Sequence, residues 1–325
     1  MSIAYIFGGS GFIGTRLAGY LIQSATHDRV VSLDIADPAR PVSGVDYVRC
    51  DVRQAIDVSP WPKDGASHVY NLAAVHRTPG HPDADYFATN VWGALHVASF
   101  ARAIGAARTV FTSSIAVYGP TENAVDETST PQPTSAYGKS KLMAEEIHRA
   151  VLGQDSGCQL IIVRPAVIFG PGEGGNFTRL ARALSSGMFL YPGRRDTIKS
   201  CGYVGELLRA MTILPGRVNG EIVFNFCFPQ RYTIEDICTA FQAVANLPAP
   251  RGTLPIALTT CLGALGDSLG KVGIKVPVNS ERIAKLQHST NIVPRVLQQL
   301  EYRFETDLPA SLEKWMNEDP QGQFV

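Results

Sequence analysis

The sequence lacks the features that would single out a nucleic acid, a metal ion or a spanned membrane as its business. Neither charge is in excess: Lys and Arg total 29, as do Asp and Glu, over 325 residues. No basic field therefore invites a polyanion. The six cysteines (Cys50, Cys158, Cys201, Cys227, Cys238 and Cys261) show no C-x-x-C pair and no metal-ligand spacing. Reduced thiols, no metal and a cytoplasmic location are the expectation. No basic segment precedes the apolar N-terminus, so no secretory signal is expected. Long hydrophobic runs are missing too. The most apolar later stretch, Leu254 through Leu265, is interrupted by Pro255 and Gly263 and ends at Asp267. It is too short to span a bilayer and reads as a core or interface helix, or as one lying on a membrane surface. Internal repeats and low-complexity tracts are absent. What remains is a composition of 45% apolar and 18% charged residues, enough for an ordinary globular core and longer than one average domain.

The first elements are legible at once. Ile3-Ala4-Tyr5-Ile6-Phe7 is an apolar run of strand length, followed directly by glycines. Gly8, Gly11 and Gly14, with Phe12 and Ile13 between them, open a helix expected from Phe12 to about Ser24. Glycine permits a sharp turn and a close approach to a dinucleotide's diphosphate, whose charge the helix N-terminus meets. Val30-Val31-Ser32-Leu33-Asp34 follows as a second strand, and Asp34 stands twenty residues after Gly14. A carboxylate there accepts hydrogen bonds from the adenosine ribose and repels a 2′-phosphate, which favours NAD over NADP. A plain strand-end turn is the other reading of Asp34.

The chemistry gathers around Tyr137-Gly138-Lys139-Ser140-Lys141 and Ser114. Tyrosine and lysine four apart on a helix share a face. An unperturbed phenol, with a pKa near ~10, is a poor base at neutral pH. A neighbouring ammonium is expected to favour the phenolate and lower that value. Ser114 follows the apolar run from Val110, where a strand delivers a hydroxyl to the sheet edge.

With the glycine loop, Asn71-Leu72-Ala73-Ala74, Ser113-Ser114, Tyr137/Lys141 and Arg164-Pro165 in this order, the chain resembles the extended short-chain dehydrogenase/reductases, the NAD-dependent nucleotide-sugar epimerases and dehydratases. The resemblance runs from the glycine loop to Trp315. It implies an α/β fold: a doubly wound Rossmann sheet over residues 1–165, completed by part of 200–228, and a smaller substrate-binding α/β domain over 166–325. It also implies Asp51 at the adenine amino group with Val52 beside the ring. Leu72, Ala73 and Ala74 would leave room for the cofactor's ribose and diphosphate, Asn90 would steady the active-site backbone, and Pro165 would mark the departure toward the second domain. Dehydratases of this family carry Thr-Asp-Glu where this chain has Ser114-Ile115-Ala116, so loss of water is not expected.

Substrate contacts are less sharply drawn. His76 and Arg77 sit in a loop that borders the site in relatives, or are a solvated pair. Asn176 would hold the substrate's diphosphate or cap a helix. Lys199 stands where relatives place a phosphate-binding arginine; a lysine there is a less directional point charge. Arg282 resembles a second phosphate-binding arginine, or is a solvated helix residue. Residues 120–135 read as a polar loop, and those after Trp315 as a frayed tail. The resemblance implies C4 epimerisation of a UDP-hexose or UDP-N-acetylhexosamine by Ser114, Tyr137 and Lys141 in a homodimer. A 4-ketoreductase, an epimerase of polyprenyl-diphosphate-linked sugars and a non-catalytic sensor on the same fold are the alternatives.

Overall fold

The computed structural model describes residues 2–63, 65–77, 80–153, 157–271, 280–319 and 322–324. Its centre is a seven-stranded, wholly parallel sheet. In chain order the strands are β1 (Ile3–Phe7), β2 (Arg29–Asp34), β3 (Val45–Arg49), β4 (His68–Asn71) and β5 (Arg108–Thr112). The short β6 (Thr121–Val125) lies apart, and β7 (Gln159–Pro165) rejoins the sheet. Its last member, β11 (Ile222–Phe226), comes after three short strands outside it: β8 (Val167–Phe169), β9 (Tyr191–Pro192) and β10 (Cys201–Tyr203). The spatial order β11-β7-β5-β4-β1-β2-β3 reverses direction between β1 and β4. That switch point is where an open α/β sheet opens a crevice beyond its strand ends.

Both faces of the sheet are covered, as an all-parallel sheet requires. On one face pack α1 (Phe12–Ser24) and α6 (Val204–Ile213), through Leu17, Leu21, Leu207 and Met211. On the other pack α3 (Gly93–Ala103) and α4 (Ala136–Leu152), through Val97, Phe100, Ala144 and Leu152. Helix α1 buries Gly14, Leu17, Ala18 and Leu21 at helical spacing. A short α2 (Asp83–Phe87) runs into α3 through a π turn, Ala88–Trp92.

Beyond β7 the chain forms two-stranded pairs, β8 with β10, β9 with β12 (Thr253–Leu254), and β6 with β13 (Thr290–Ile292). Around them lie α5 (Asn176–Ser185), α7 (Ile234–Ala245), α8 (Ile256–Lys271), α9 (Ser280–Gln287), α10 (Arg295–Gln299) and α11 (Leu308–Glu318). Two sequence expectations fail here. The segment 120–135 is not loop throughout, because β6 borrows its hydrogen-bond partners from β13, far away in sequence. Nor do the described residues after Trp315 form a frayed tail. Phe324 is buried, meets Trp315 and Phe241 edge-to-face at 5.2 and 5.0 Å, and its carbonyl accepts from the Thr178 hydroxyl at 2.7 Å.

Candidate active site

At the C-terminal end of β1 the backbone is packed too closely for any side chain. Gly8 has φ +79°, and a Cβ there would lie 2.6 Å from the Ala73 nitrogen; one on Gly14 would lie 2.3 Å from the Gly8 carbonyl oxygen. Gly11 caps α1 with no side-chain hydrogen bond, and no acidic residue stands in the first turn. The helix terminus thus presents bare N–H groups and the positive end of its dipole to the crevice. Phe12 and Ile13 turn into the core beside β1. Asp34, at the end of β2, is oriented by the Ser10 amide at 3.0 Å and the Ala36 amide at 3.1 Å. It opens onto a cavity that Ser32, Tyr47 and Arg49 help to line. Glycine cradle, bare helix terminus and carboxylate fit the diphosphate and ribose of a dinucleotide.

Two strands along the same edge of the sheet, Ser114 leaves β5 and caps a 3₁₀ turn, Ile115–Tyr118, by accepting from the Ala116 amide at 3.1 Å. Ser135 caps α4 in the same way through the Gly138 amide, at 3.1 Å. The two caps set Ser114 and Tyr137 within hydrogen-bonding reach of each other. This close docking needs Gly138, where a Cβ would stand 2.4 Å from the Ala116 carbonyl oxygen. Burial pushes the Tyr137 phenol above its ordinary pKa, and the Ser114 hydrogen bond pulls the other way. The expected lowering by Lys141 is not what shapes this phenol. The Lys141 ammonium instead donates to the Thr112 carbonyl at 2.8 Å and lies 4.9 Å from the centre of the Phe111 ring. Burial brings Lys141 down to about 7, with the Glu145 carboxylate opposing.

Behind Lys141 lies a charged network that the sequence reading passed over. Glu145, wholly buried, accepts from the Arg164 guanidinium at 2.9 and 2.6 Å and from the Ser113 hydroxyl. Arg164 also donates to the Tyr118 phenol at 2.7 Å, which donates to Asn225 Oδ1 at 2.9 Å. The i, i+4 spacing of Glu145 from Lys141 was a usable signal, since it places both on one helix face. Asn90 makes a second brace. From the π turn it clamps the Val75 backbone, accepting at 2.9 Å and donating at 3.1 Å, and donates to the Ser140 hydroxyl at 2.9 Å. π turns often mark such sites, but no local residue pattern announces one.

The remaining residues singled out in the sequence fall into two groups. Leu72, Ala73 and Ala74 continue from β4 along the crevice, the Leu72 amide donating to the Phe7 carbonyl at 2.8 Å. Pro165 closes β7, in register with Phe226. His76 follows Ala74 and Val75 in the chain, and its pKa is lowered by desolvation and then by the Lys141 and Arg77 charges. Others are engaged elsewhere. The Asp51 carboxylate is gripped by Arg53 at 2.9 and 2.6 Å. Val52 is buried against Gly93, and its carbonyl meets His96 Nδ1 at 2.8 Å. Asn176 is the first residue of α5 rather than its cap, which is Gly175, and it accepts from Arg179 at 2.6 Å. Lys199 holds the C-terminal end of α9, donating to the Lys285 and His288 carbonyls, both at 2.6 Å, which engages two of the three N–H donors of its ammonium. Arg282 lies on α9; its side chain is outside the described residues.

Comparison with known proteins extends this geometry. Residues 4–225 match the model of the NAD dependent epimerase/dehydratase family. An N-acetyl-α-D-glucosaminyl-diphospho-ditrans,octacis-undecaprenol 4-epimerase from Escherichia coli O157:H7 is 31% identical over 88% of this chain and 85% of its own. A UDP-glucose 4-epimerase from Neisseria gonorrhoeae is 26% identical over 75% of this chain and 83% of its own. Among solved structures, the NAD-dependent NDP-hexosamine 5,6-dehydratase TunA superposes with a TM-score of 0.73 at 20% identity, covering 97% of this chain and 98% of its own. Its fold is shared here; fold alone does not separate epimerase from dehydratase.

Proposed function

This chain belongs to the NAD-dependent epimerase/dehydratase family, and from that premise we propose that it inverts C4 of a diphosphate-linked sugar through a transient 4-ketone. The carrying observation is that Ser114 stands within hydrogen-bonding reach of Tyr137, with Lys141 one helical turn further on. Tyr137 takes the proton of the C4 hydroxyl and later gives it back. Ser114 hydrogen-bonds the same oxygen as it becomes a carbonyl and fixes the sugar against the phenol. Lys141, held by the Thr112 carbonyl, supplies positive charge near the phenolate once Tyr137 loses its proton. NAD held by the glycine cradle and Asp34 would supply a reversible hydride acceptor; with the keto-sugar turned over between the two transfers, C4 would be inverted and no reductant consumed. Ile115 and Ala116, the positions at which a dehydratase needs its acid and base, carry only hydrocarbon and cannot move a proton.

For the sugar's carrier there are two readings. UDP is one, in keeping with the Neisseria relative. The polyprenyl diphosphate of the Escherichia relative is the other, favoured by the higher identity and coverage of that match. The division into a cofactor domain over 1–165 and a substrate domain over 166–325, a cytoplasmic site of action and a homodimer through α3 and α4 belong to the same proposal. Trp92, at the start of α3, and Met143, on α4, are exposed.

The test is an NMR assay of purified protein with UDP-GlcNAc, UDP-Glc and a short-chain polyprenyl-diphosphate GlcNAc, with the NADH absorbance followed. A C4 epimer without net NADH change supports the proposal and identifies the carrier. Oxidation of added NADH with only a 4-keto-6-deoxy sugar would replace it with a reductase.

A further inference from the structure

Ser114 is held from both sides by one ion pair. Glu145 accepts from the hydroxyl of Ser113, the residue before it. Arg164 donates at 2.7 Å to the phenol of Tyr118, the last residue of the turn after it. Arg164 donates to Glu145 itself at 2.9 and 2.6 Å, so the two grips share one root. Tyr118 has no room to swing away. Arg164 Cζ lies 5.1 Å from the centre of its ring, and its hydroxyl donates to Asn225 Oδ1 at 2.9 Å. Asn225 is fixed in turn: its side-chain amide donates to the Val293 carbonyl at 3.1 Å and its backbone amide to Glu127 at 2.8 Å. Ser113, Tyr118, Glu145 and Arg164 are each at most 6% exposed.

The root of this bracket stands on the helix that carries the other half of the contact. Glu145 follows Tyr137 about two turns further along α4. Tyr137 is therefore tied to the ion pair along a helix, and Ser114 is tied to it through both flanks. The hydroxyl is oriented to match. Ser114 Oγ accepts from the Ala116 amide at 3.1 Å, which leaves its proton for the Tyr137 oxygen. Stability does not account for such a pair. Taking two charges out of water costs about as much as their attraction returns, and apolar residues of the same volume would hold a fold as well. Apolar residues would not fix a hydroxyl at one distance from a phenol, which takes directional partners behind it.

We propose that the Glu145–Arg164 pair is a positioning device: through Ser113 and Tyr118 it sets the Ser114 hydroxyl against the Tyr137 phenol. Its bearing on turnover rests on the reading of Ser114 and Tyr137 as the reacting pair; the contact it maintains does not. The test therefore observes the contact directly. Full-length protein carrying 3-fluorotyrosine is followed by fluorine NMR, and the Tyr137 resonance is identified by its loss in Tyr137→Phe. A fluorine beside the hydroxyl reports the hydrogen bond that hydroxyl makes. Ser114→Ala should shift this resonance. Ser113→Ala and Tyr118→Phe each sever one grip and leave the ion pair in place; each should shift it in the same direction and by no more. In the Ser114→Ala background neither should shift it further, because nothing is left to position. A resonance indifferent to both grips, or to Ser114→Ala itself, would overturn the proposal. So would shifts of equal size with and without Ser114, the mark of a general disturbance of the fold. Turnover is a separate measurement: normal rates in Ser114→Ala would end the reading of the reaction and leave these outcomes standing.

Discussion

Helices α4 and α8, of 17 and 16 residues, both break the rule that helices bury oil and expose charge, and they break it in opposite directions. Helix α4 turns Lys141, Glu145 and His148 inward, each at most 2% exposed. It can do so because every one has a partner: the Thr112 carbonyl for Lys141, Arg164 and Ser113 for Glu145, and Asn71 with the Ala144 carbonyl for His148. Among the described residues of helix α8, Thr259, Gly263 and Gly266 are buried while Ile256, Leu258 and Leu265 are exposed. One helix has its charges answered inside the fold; the other leaves apolar side chains at the surface.

The largest break in the comparison comes from the start of α4. Tyr137→Phe should lower turnover about 10²–10⁴-fold, the usual weight of a positioned proton carrier, while bound NAD stays in stoichiometric amount by absorbance after denaturation. Near-normal turnover would remove Tyr137 from the mechanism. Next in size is Glu145→Ala, which leaves Arg164 buried beside no carboxylate. Loss of about 3–5 kcal/mol in urea denaturation is expected, as for other broken buried pairs; a loss below about 1 kcal/mol, the range of an exposed pair, would mean the network is solvated.

Acid sharpens the contrast further. Burial holds His148 down at about 4 and His68 at about 3. An unfolded histidine takes up its proton near ~6.5, so below that pH the unfolded chain binds protons that the folded chain refuses. Stability should therefore fall as pH drops from about 6.5 toward 4. His148→Gln should flatten that slope in denaturation curves at pH 7 and pH 5; an unaltered slope would show His148 open to protons. The smallest effect belongs to α8. Leu258→Asp should change stability by no more than about 0.5 kcal/mol, as for a surface substitution, and a larger loss would show that its outer face is packed.

How much of this could be read from the chain follows the range of the interactions. The β1-glycine-α1 unit and the helix of Tyr137 and Lys141 were legible because their signals are local: an apolar run followed by glycines where no Cβ fits, and two residues four apart on one face. The fate of Lys199 was not, because the carbonyls it binds lie some ninety residues further on. Strand β6 and Phe324 depend on equally distant partners. Val52 looks from sequence like a residue at a strand exit; only the packing of Gly93 against it shows that it is core. The inward Glu145 was within reach, one helical turn from Lys141, and was missed because charged residues are rarely sought inside.

The π turn at Ala88–Trp92 bears on how such a sequence can drift. A π turn is one residue more than an α-helix needs, so a single-codon deletion within it would leave a continuous, well-formed helix. The residues beyond the deletion would be rotated by about 100° about the axis relative to those before it, and Asn90 could not keep both Val75 and Ser140. Point substitutions test side chains one at a time; an in-frame deletion here would test the registration of two halves of a helix. It is a class of change in which the protein would fold and still lose the footing of its reactive helix.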